Sequence, residues 1–398
     1  MKDHYQVLIV GGGAGGITVG AHLRNLPEPL EVAIIEPSTK HYYQPIWTLV
    51  GAGVFPKEIS QREEADFMPE GVTWIRDYAE TFDPENNTVT TREGRSISYD
   101  YLVVAAGIQI NWGAIPGLAE SVGKPGSGVC SNYSYDTVES TWATLRATTK
   151  GTAIFTHPNT PIKCGGAPQK IMYLSEDYFR KHGVRDDIRV VFVKPGAAIF
   201  GVDKYTRALE KIVKARDIET VFLHHLIEIH PDQKEAVFEH VETGERTTMN
   251  YDMLHVTPPM SAPDFIRNSA LVNADGWVDL DKYSLQHVRY PNIFGTGDCT
   301  SLPTAKTGAG VRKQVPVLVA NLLAQMNGDP IPQKTYNGYT SCPLVTGYGK
   351  LILAEFDYDS QPVESFPFDQ SQERYSMYAL KIYALPEMYW HGMLRGRM

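Results

Sequence analysis

The sequence predicts an α/β protein: two Rossmann-type dinucleotide-binding-like domains plus a C-terminal amphipathic membrane-associating segment. Three observations predict it. A glycine fingerprint joins two short apolar strands near the start, two strand-end glycine motifs lie far apart in the chain, and the closing stretch is dense in Met, Leu, Tyr and Trp. With 398 residues the chain is too long for one ordinary core. A hydrophobic fraction of 42% and 34 glycines belong to a folded globular protein. The net charge of −9 argues against nucleic acid, whose phosphates require clustered cations.

Taken in order, Tyr5 to Val10 reads as a buried parallel strand. Gly11, Gly13 and Gly16 then satisfy G-x-G-x-x-G, and Ile17 to Leu26 has helical character. Glycines let the backbone approach a pyrophosphate, whose charge is met by amides at the helix N-terminus. A second strand, Leu30 to Ile35, ends in Glu36, twenty residues after Gly16, where an acid suits a ribose hydroxyl pair. Met1 to Gln6 runs straight into the first strand, so no signal or transit peptide is expected. No apolar run approaches the ~18–20 residues that span a bilayer.

Tyr99 to Gly107 and Tyr290 to Asp298 are two further strands, ending in Gly107 and in Gly295-Thr-Gly-Asp298. They resemble the two strand-end motifs of the disulfide-reductase-like flavoenzymes, in which the aspartate matching Asp298 binds the ribityl or phosphate side of FAD. That resemblance implies an FAD domain built from residues 1–112 and 286–335, a second Rossmann-like domain at 113–285, and a closing region at 336–398. The inserted part carries strands at Thr152–Thr156 and Ile188–Val193, a helix around Tyr205–Ala215 and a β-rich stretch from Phe222 to Met249. Its glycine loop is missing, replaced by Thr160-Pro-Ile-Lys-Cys-Gly-Gly-Ala-Pro168, and its second strand ends in Lys194-Pro195 where an NADH site would need an acid. An NADH site is therefore not expected. A helical pattern, Ile171 to Phe179, follows the loop, and the loop offers Cys164.

The four cysteines, 130, 164, 299 and 342, are too few for a disulfide scaffold and show no metal-ligand spacing, so no metal is expected. Thr307 to Leu323, with Lys313 and Gln314, reads as a helix packed beside the flavin ring, either as a dipole aimed at the ring or as plain core packing. Cys342 sits in a loop leading to a strand, Lys350 to Phe356, 178 residues beyond Cys164. The tail from Tyr375 reads as two short helices broken at Pro386, ending in Arg395 and Arg397. Such a segment suits a lipid interface, and equally a fold back onto its own core or a dimer contact.

The segments His41 to Gly53, the Cys164 loop, Gly297 to Lys306, the Cys342 segment and Glu364 to Arg395 together resemble the sulfide:quinone oxidoreductase family, in the branch that includes the animal mitochondrial enzyme. The resemblance implies FAD as cofactor, bound by Gly11, Gly13, Gly16, Glu36, Gly107, Asp298, Lys313 and Gln314, and a redox disulfide between Cys164 and Cys342. It implies that sulfide attacks Cys342, leaving a persulfide there, and that the Cys164 thiolate attacks the flavin ring. An acceptor (sulfide, sulfite or a thiol) removes the sulfane sulfur, and a quinone takes the electrons. Lys170, ahead of Lys163, is the cation expected to hold the thiolate. Lys381, Tyr383 and Tyr389 are candidates for a quinone slot. Cys130, beside Ser-Asn-Tyr-Ser, matches the branch without covalent FAD, and Cys299 is expected to be a packing residue. The expected setting is a peripheral, monotopic protein on a bacterial inner membrane, with a homo-oligomer possible. The rivals are a type II NADH:quinone dehydrogenase and a flavocytochrome-type sulfide dehydrogenase.

Overall fold

The computed structural model describes residues 2–398. Two parallel sheets organise it. In the first, strands Thr73–Ile75, Val32–Ile35, His4–Val10 and Ser96–Val104 lie side by side, and an antiparallel pair, Thr88–Thr91 and Ala79–Asp83, extends the edge. His4–Val10 is flanked on both sides in register, Ile9 facing Ile34 and Val103. Strand Ile293–Gly295, from the far end of the chain, also pairs with Ser96–Val104, Phe294 opposite Val103. Chain ends thus meet in one sheet, bringing the two strand-end glycine motifs together beside the fingerprint loop. Burial on both faces explains why these strands read as continuous apolar runs.

The second sheet has five parallel strands in the order Val129–Cys130, Met253–His255, Gly151–Thr156, Ile188–Lys194, Glu219–Phe222. The β-rich stretch after it is a three-stranded antiparallel sheet, His224–His230, Glu235–His240 and Arg246–Asn250. The helix expected from Ile171 starts earlier, at Ala167, directly after the cysteine loop; Pro168 in its first turn has no N–H to leave unpaired. The helix at Gly308–Asn327 runs four residues beyond its predicted end and stops at Gly328, whose φ of 73° suits a left-handed cap. Cys342 lies within a strand, Thr340–Gly347, that forms a hairpin with Lys350–Phe356, Cys342 facing Ala354.

The tail departs from expectation. Helical turns run unbroken from Tyr375 to Arg395, passing through Pro386. Proline breaks an α-helix by clashing with the carbonyl four residues back. Here π-type turns, Leu380–Ala384 and Met388–Gly392, flank it, and their wider i→i+5 pattern relieves that clash. The end of the tail folds onto the protein's own first helix, Ala14–Arg24. Asn25 donates to the Arg395 carbonyl at 2.9 Å, and Tyr389, Trp390, Met393 and Leu394 are buried. Tyr375 and Tyr383 stay out, 67% and 65% exposed. Among the described residues no helix is long and apolar enough to cross a membrane.

Candidate active site

The loop after strand Gly151–Thr156 carries Cys164 to the edge of the first sheet. There the Cys164 amide donates to the Lys306 carbonyl at 2.8 Å, and its own carbonyl accepts from Ala167 at 2.8 Å. Its φ is +55°, a left-handed conformation unfavourable for a residue with a β-carbon. That strain sets the sulfur just ahead of a fifteen-residue helix, where N-terminal amides favour an anion. Gly166 makes the approach to the second cysteine possible: a methyl group there would lie 2.5 Å from Leu344 Cδ2 and 3.6 Å from Cys342 Cβ.

Cys164 and Cys342 are brought together as free thiols sharing a hydrogen bond. That bond from Cys342 is the first reason the Cys164 thiol lies well below its ordinary value; burial opposes it, and the Lys170 ammonium, 3.1 Å from the Cys164 sulfur, assists. The same bond, with burial, pushes Cys342 well above its ordinary value. The two directions, with the Lys170 ammonium on the Cys164 sulfur, favour Cys164 as the thiolate of the reduced pair. Thr340, two residues before Cys342, bonds Thr307 at 2.8 Å, and Thr307 caps the Gly308–Asn327 helix through the Gly310 amide at 3.0 Å. The cysteine strand is thus tied to the end of that helix.

Lys381, on the tail, turns inward. It is buried, donates to the Pro45 carbonyl at 3.1 Å, and faces the thiol pair; burial and then the neighbouring Lys170 bring it down to about 7. The other two quinone candidates face different ways. Tyr383 points outward, and Tyr389 is buried with its hydroxyl 2.6 Å from His41 Nε2. The tail curls onto the first helix, and Tyr389 and Trp390 pack there against each other and against Tyr43 and Phe67. Lys163 reaches Gln44 Oε1 at 2.6 Å and the Tyr133 carbonyl at 2.9 Å, with Lys170 left as the cation on the sulfur.

The dinucleotide loop fits FAD. A methyl on Gly11 would strike the Ala105 carbonyl at 2.6 Å and one on Gly16 the Gly11 carbonyl at 1.8 Å, so both are required by the protein itself. Gly13 and Gly107 instead face open space, where a pyrophosphate needs bare backbone. Glu36 accepts from the Gly12 and Ser38 amides, each at 2.7 Å. Across the loop a small cleft is bounded by Gly297, Asp298, Thr300, Lys306, Thr307 and Gln314. Burial raises the Asp298 carboxyl, with Lys306 and Lys163 opposing. Gln314 borders this cleft but commits its carbonyl to Thr296 and the Gly297 amide, both at 2.9 Å, so it holds the motif in shape. Lys313 is exposed, its ammonium 5.6 Å over the Tyr339 ring.

Cys130 and Cys299 are fully buried, and burial pushes their thiols up to about 12 and about 11. Cys299 packs near the Val104 and Thr296 carbonyls, as a packing residue should. Sequence reading missed Thr340, Gln44 and the buried acid Glu64; only the His41-to-Gly53 segment carried a signal, as a resemblance without assigned roles.

The family model for pyridine nucleotide-disulphide oxidoreductase matches residues 5–141. The mouse protein named mitochondrial sulfide:quinone oxidoreductase is 52% identical over 99% of this chain and 87% of its own length. The chain belongs to the sulfide:quinone oxidoreductase family. A Dictyostelium discoideum member is 49% identical over the whole chain and 87% of its own length. The Aquifex aeolicus sulfide:quinone oxidoreductase structure, 21% identical, superposes with a TM-score of 0.82 over all of this chain and 92% of that one, which shows the fold. FAD is accordingly the cofactor, and the protein is an oxidoreductase. The mouse and Dictyostelium relatives carry mitochondrial names, so the bacterial inner-membrane expectation gains no support from them.

Proposed function

We propose that this flavoprotein oxidises hydrogen sulfide at a Cys164–Cys342 disulfide, passes two electrons through FAD to a quinone, and gives the sulfane sulfur to an acceptor. The asymmetry of the thiol pair carries this reading. In thiol–disulfide exchange the sulfur of lower pKa leaves faster. Cys164, with the Lys170 ammonium 3.1 Å from its sulfur to receive the negative charge, is the leaving group, so attack falls on Cys342. Hydrosulfide forms a bond to the Cys342 sulfur, the disulfide breaks, and the bonding pair goes to Cys164 as a thiolate. Cys342 is buried, which suits a small attacker. The acceptor then takes the outer sulfur of the Cys342 persulfide, and the two cysteines reclose with loss of two electrons. FAD, when bound, supplies the two-electron sink for that reclosure and the donor to quinone.

Lys170 stands on the Cys164 sulfur and Lys381 faces the same pocket, so both amines lie beside the reacting sulfurs. The acceptor is sulfide, sulfite or a thiol. Exposed Tyr375 and Tyr383 support a tail that rests on a membrane surface, where quinones dissolve. Two sheets, one built from both chain ends, support a division into an FAD domain and an inserted domain. The test is anaerobic: sulfide should bleach the visible flavin band and a soluble quinone restore it. Bleaching that survives in Cys164→Ala or Cys342→Ala sinks the proposal.

A further inference from the structure

One buried polar chain takes no part in the sulfur chemistry. Tyr389, His41 and Glu64 are all nine-tenths or more buried. The Tyr389 hydroxyl lies 2.6 Å from His41 Nε2, and His41 Nδ1 lies 2.9 Å from Glu64 Oε2. A carboxylate only accepts, so Nδ1 carries the ring proton, and Nε2 accepts from Tyr389. Every atom of this chain is then assigned except one. Glu64 Oε1 is buried and has no hydrogen-bond partner, a costly state for a carboxylate oxygen.

That free oxygen faces the dinucleotide loop. A methyl placed on Gly12 would lie 2.8 Å from Glu64 Oε1 and 2.6 Å from Glu36 Cγ, so both acids border the same glycine. Glu36 occupies the fingerprint position for a ribose hydroxyl pair, yet each of its oxygens already accepts a backbone amide. Glu64 offers an acceptor with nothing on it. At the other end, Tyr389 belongs to the tail helix, and its ring packs 4.9 Å from Tyr43.

We propose that Glu64 is a second acidic contact to the adenosine ribose of FAD, beside Glu36, and that the His41–Tyr389 relay couples docking of the C-terminal helix to FAD. With the hydroxyl bound, Glu64 is held ionised and oriented, His41 is fixed in one tautomer, and Tyr389 keeps its acceptor. Without it, Glu64 is buried with an idle oxygen; burial favours its protonation against the opposing His41 hydrogen bond, with Glu36 adding a little, and the grip on Tyr389 weakens. Lys381 rides on the same helix, so the thiol pocket feels the change.

The experiment uses the full chain stripped of FAD and retitrated, with tryptic cleavage after Lys381 followed in both states; no sulfide is involved, so failure here is separate from failure of the sulfide reading. In Glu64→Gln, His41 keeps the amide oxygen and turns the NH2 toward the ribose. Affinity for FAD should fall about tenfold, the difference between a charged and a neutral hydrogen bond. Tyr389→Phe should lower affinity a few-fold and make tail cleavage insensitive to FAD, whereas the parent is cut faster when stripped. Unchanged FAD affinity in both variants, or equal cleavage of stripped and loaded parent, overturns the proposal. Should Glu64→Gln fail to fold, Tyr389→Phe, which removes one hydroxyl far from the cofactor, carries the test alone.

Discussion

The Lys170 ammonium nitrogen stands 3.1 Å from the Cys164 sulfur, inside the first turn of the helix that the cysteine precedes. Helix amides and this cation act on the same sulfur. Lys170→Met should leave the fold in place and raise the Cys164 pKa. The thiolate fraction of the reduced protein below neutral pH then drops, and alkylation by iodoacetamide slows about tenfold or more. Cys342→Ala should also raise it, because the hydrogen bond from the Cys342 thiol is the larger cause. The pH profile of alkylation, read by mass at Cys164, checks both.

Lys381 sets a pH dependence of stability whose sign is fixed. Its folded value, about 7, lies below its ordinary 10.5, so between those limits the unfolded chain binds more protons. Stability contributed by this group therefore rises as pH climbs from about 7 to 10.5. Lys381→Met removes the dependence. Its thermal midpoint should exceed the parent's by a few degrees below pH 7 and lose that lead toward pH 10, while sulfide-driven flavin reduction slows. Scanning calorimetry across pH reads the first effect and stopped-flow absorbance the second.

Gly13 and Gly16 should separate cofactor binding from folding. Gly16→Ala would force a methyl onto the Gly11 carbonyl, so the stripped protein itself loses stability. Gly13→Ala meets nothing in the protein and should melt like the parent when stripped, yet retain less FAD. Flavin content per chain after gel filtration, beside melting curves of the stripped proteins, tells the two apart.

Cys130→Ala and Cys299→Ala serve as controls. Both thiols are buried in packing and raised out of the reactive range. Each substitution should cost about 1–2 kcal/mol of stability by leaving a small void. Neither should change the extent of flavin bleaching by sulfide.

What could be read along the chain was what local chemistry determines. The glycine fingerprint, Glu36 and the strand-end motifs announce themselves because each needs a fixed residue at a fixed spacing. Cys164 was legible because it stands where a glycine loop should be. Its partnership with Cys342 came through family resemblance, since nothing local relates residues 178 apart. The tail was misread for a physical reason. Pro386 signals a break by the α-helical rule, and π-type turns evade that rule. Where Lys381 and Tyr389 point depends on how the tail curls onto the first helix, a packing outcome with no periodic signature. Glu64 lay unnoticed in a charged stretch, Arg62-Glu-Glu-Ala-Asp66, indistinguishable from a solvated surface.

The tail helix contributes Lys381 to the thiols and Tyr389 to the buried acid, eight positions apart on one element. Both sheets precede it in the chain, so during synthesis they are complete before either contact exists. A half-made molecule has its two cysteines but lacks the lysine buried beside them and the Tyr389 hydroxyl on His41. The thiol pocket and the buried acid are therefore both completed only once the tail has been made and folded back.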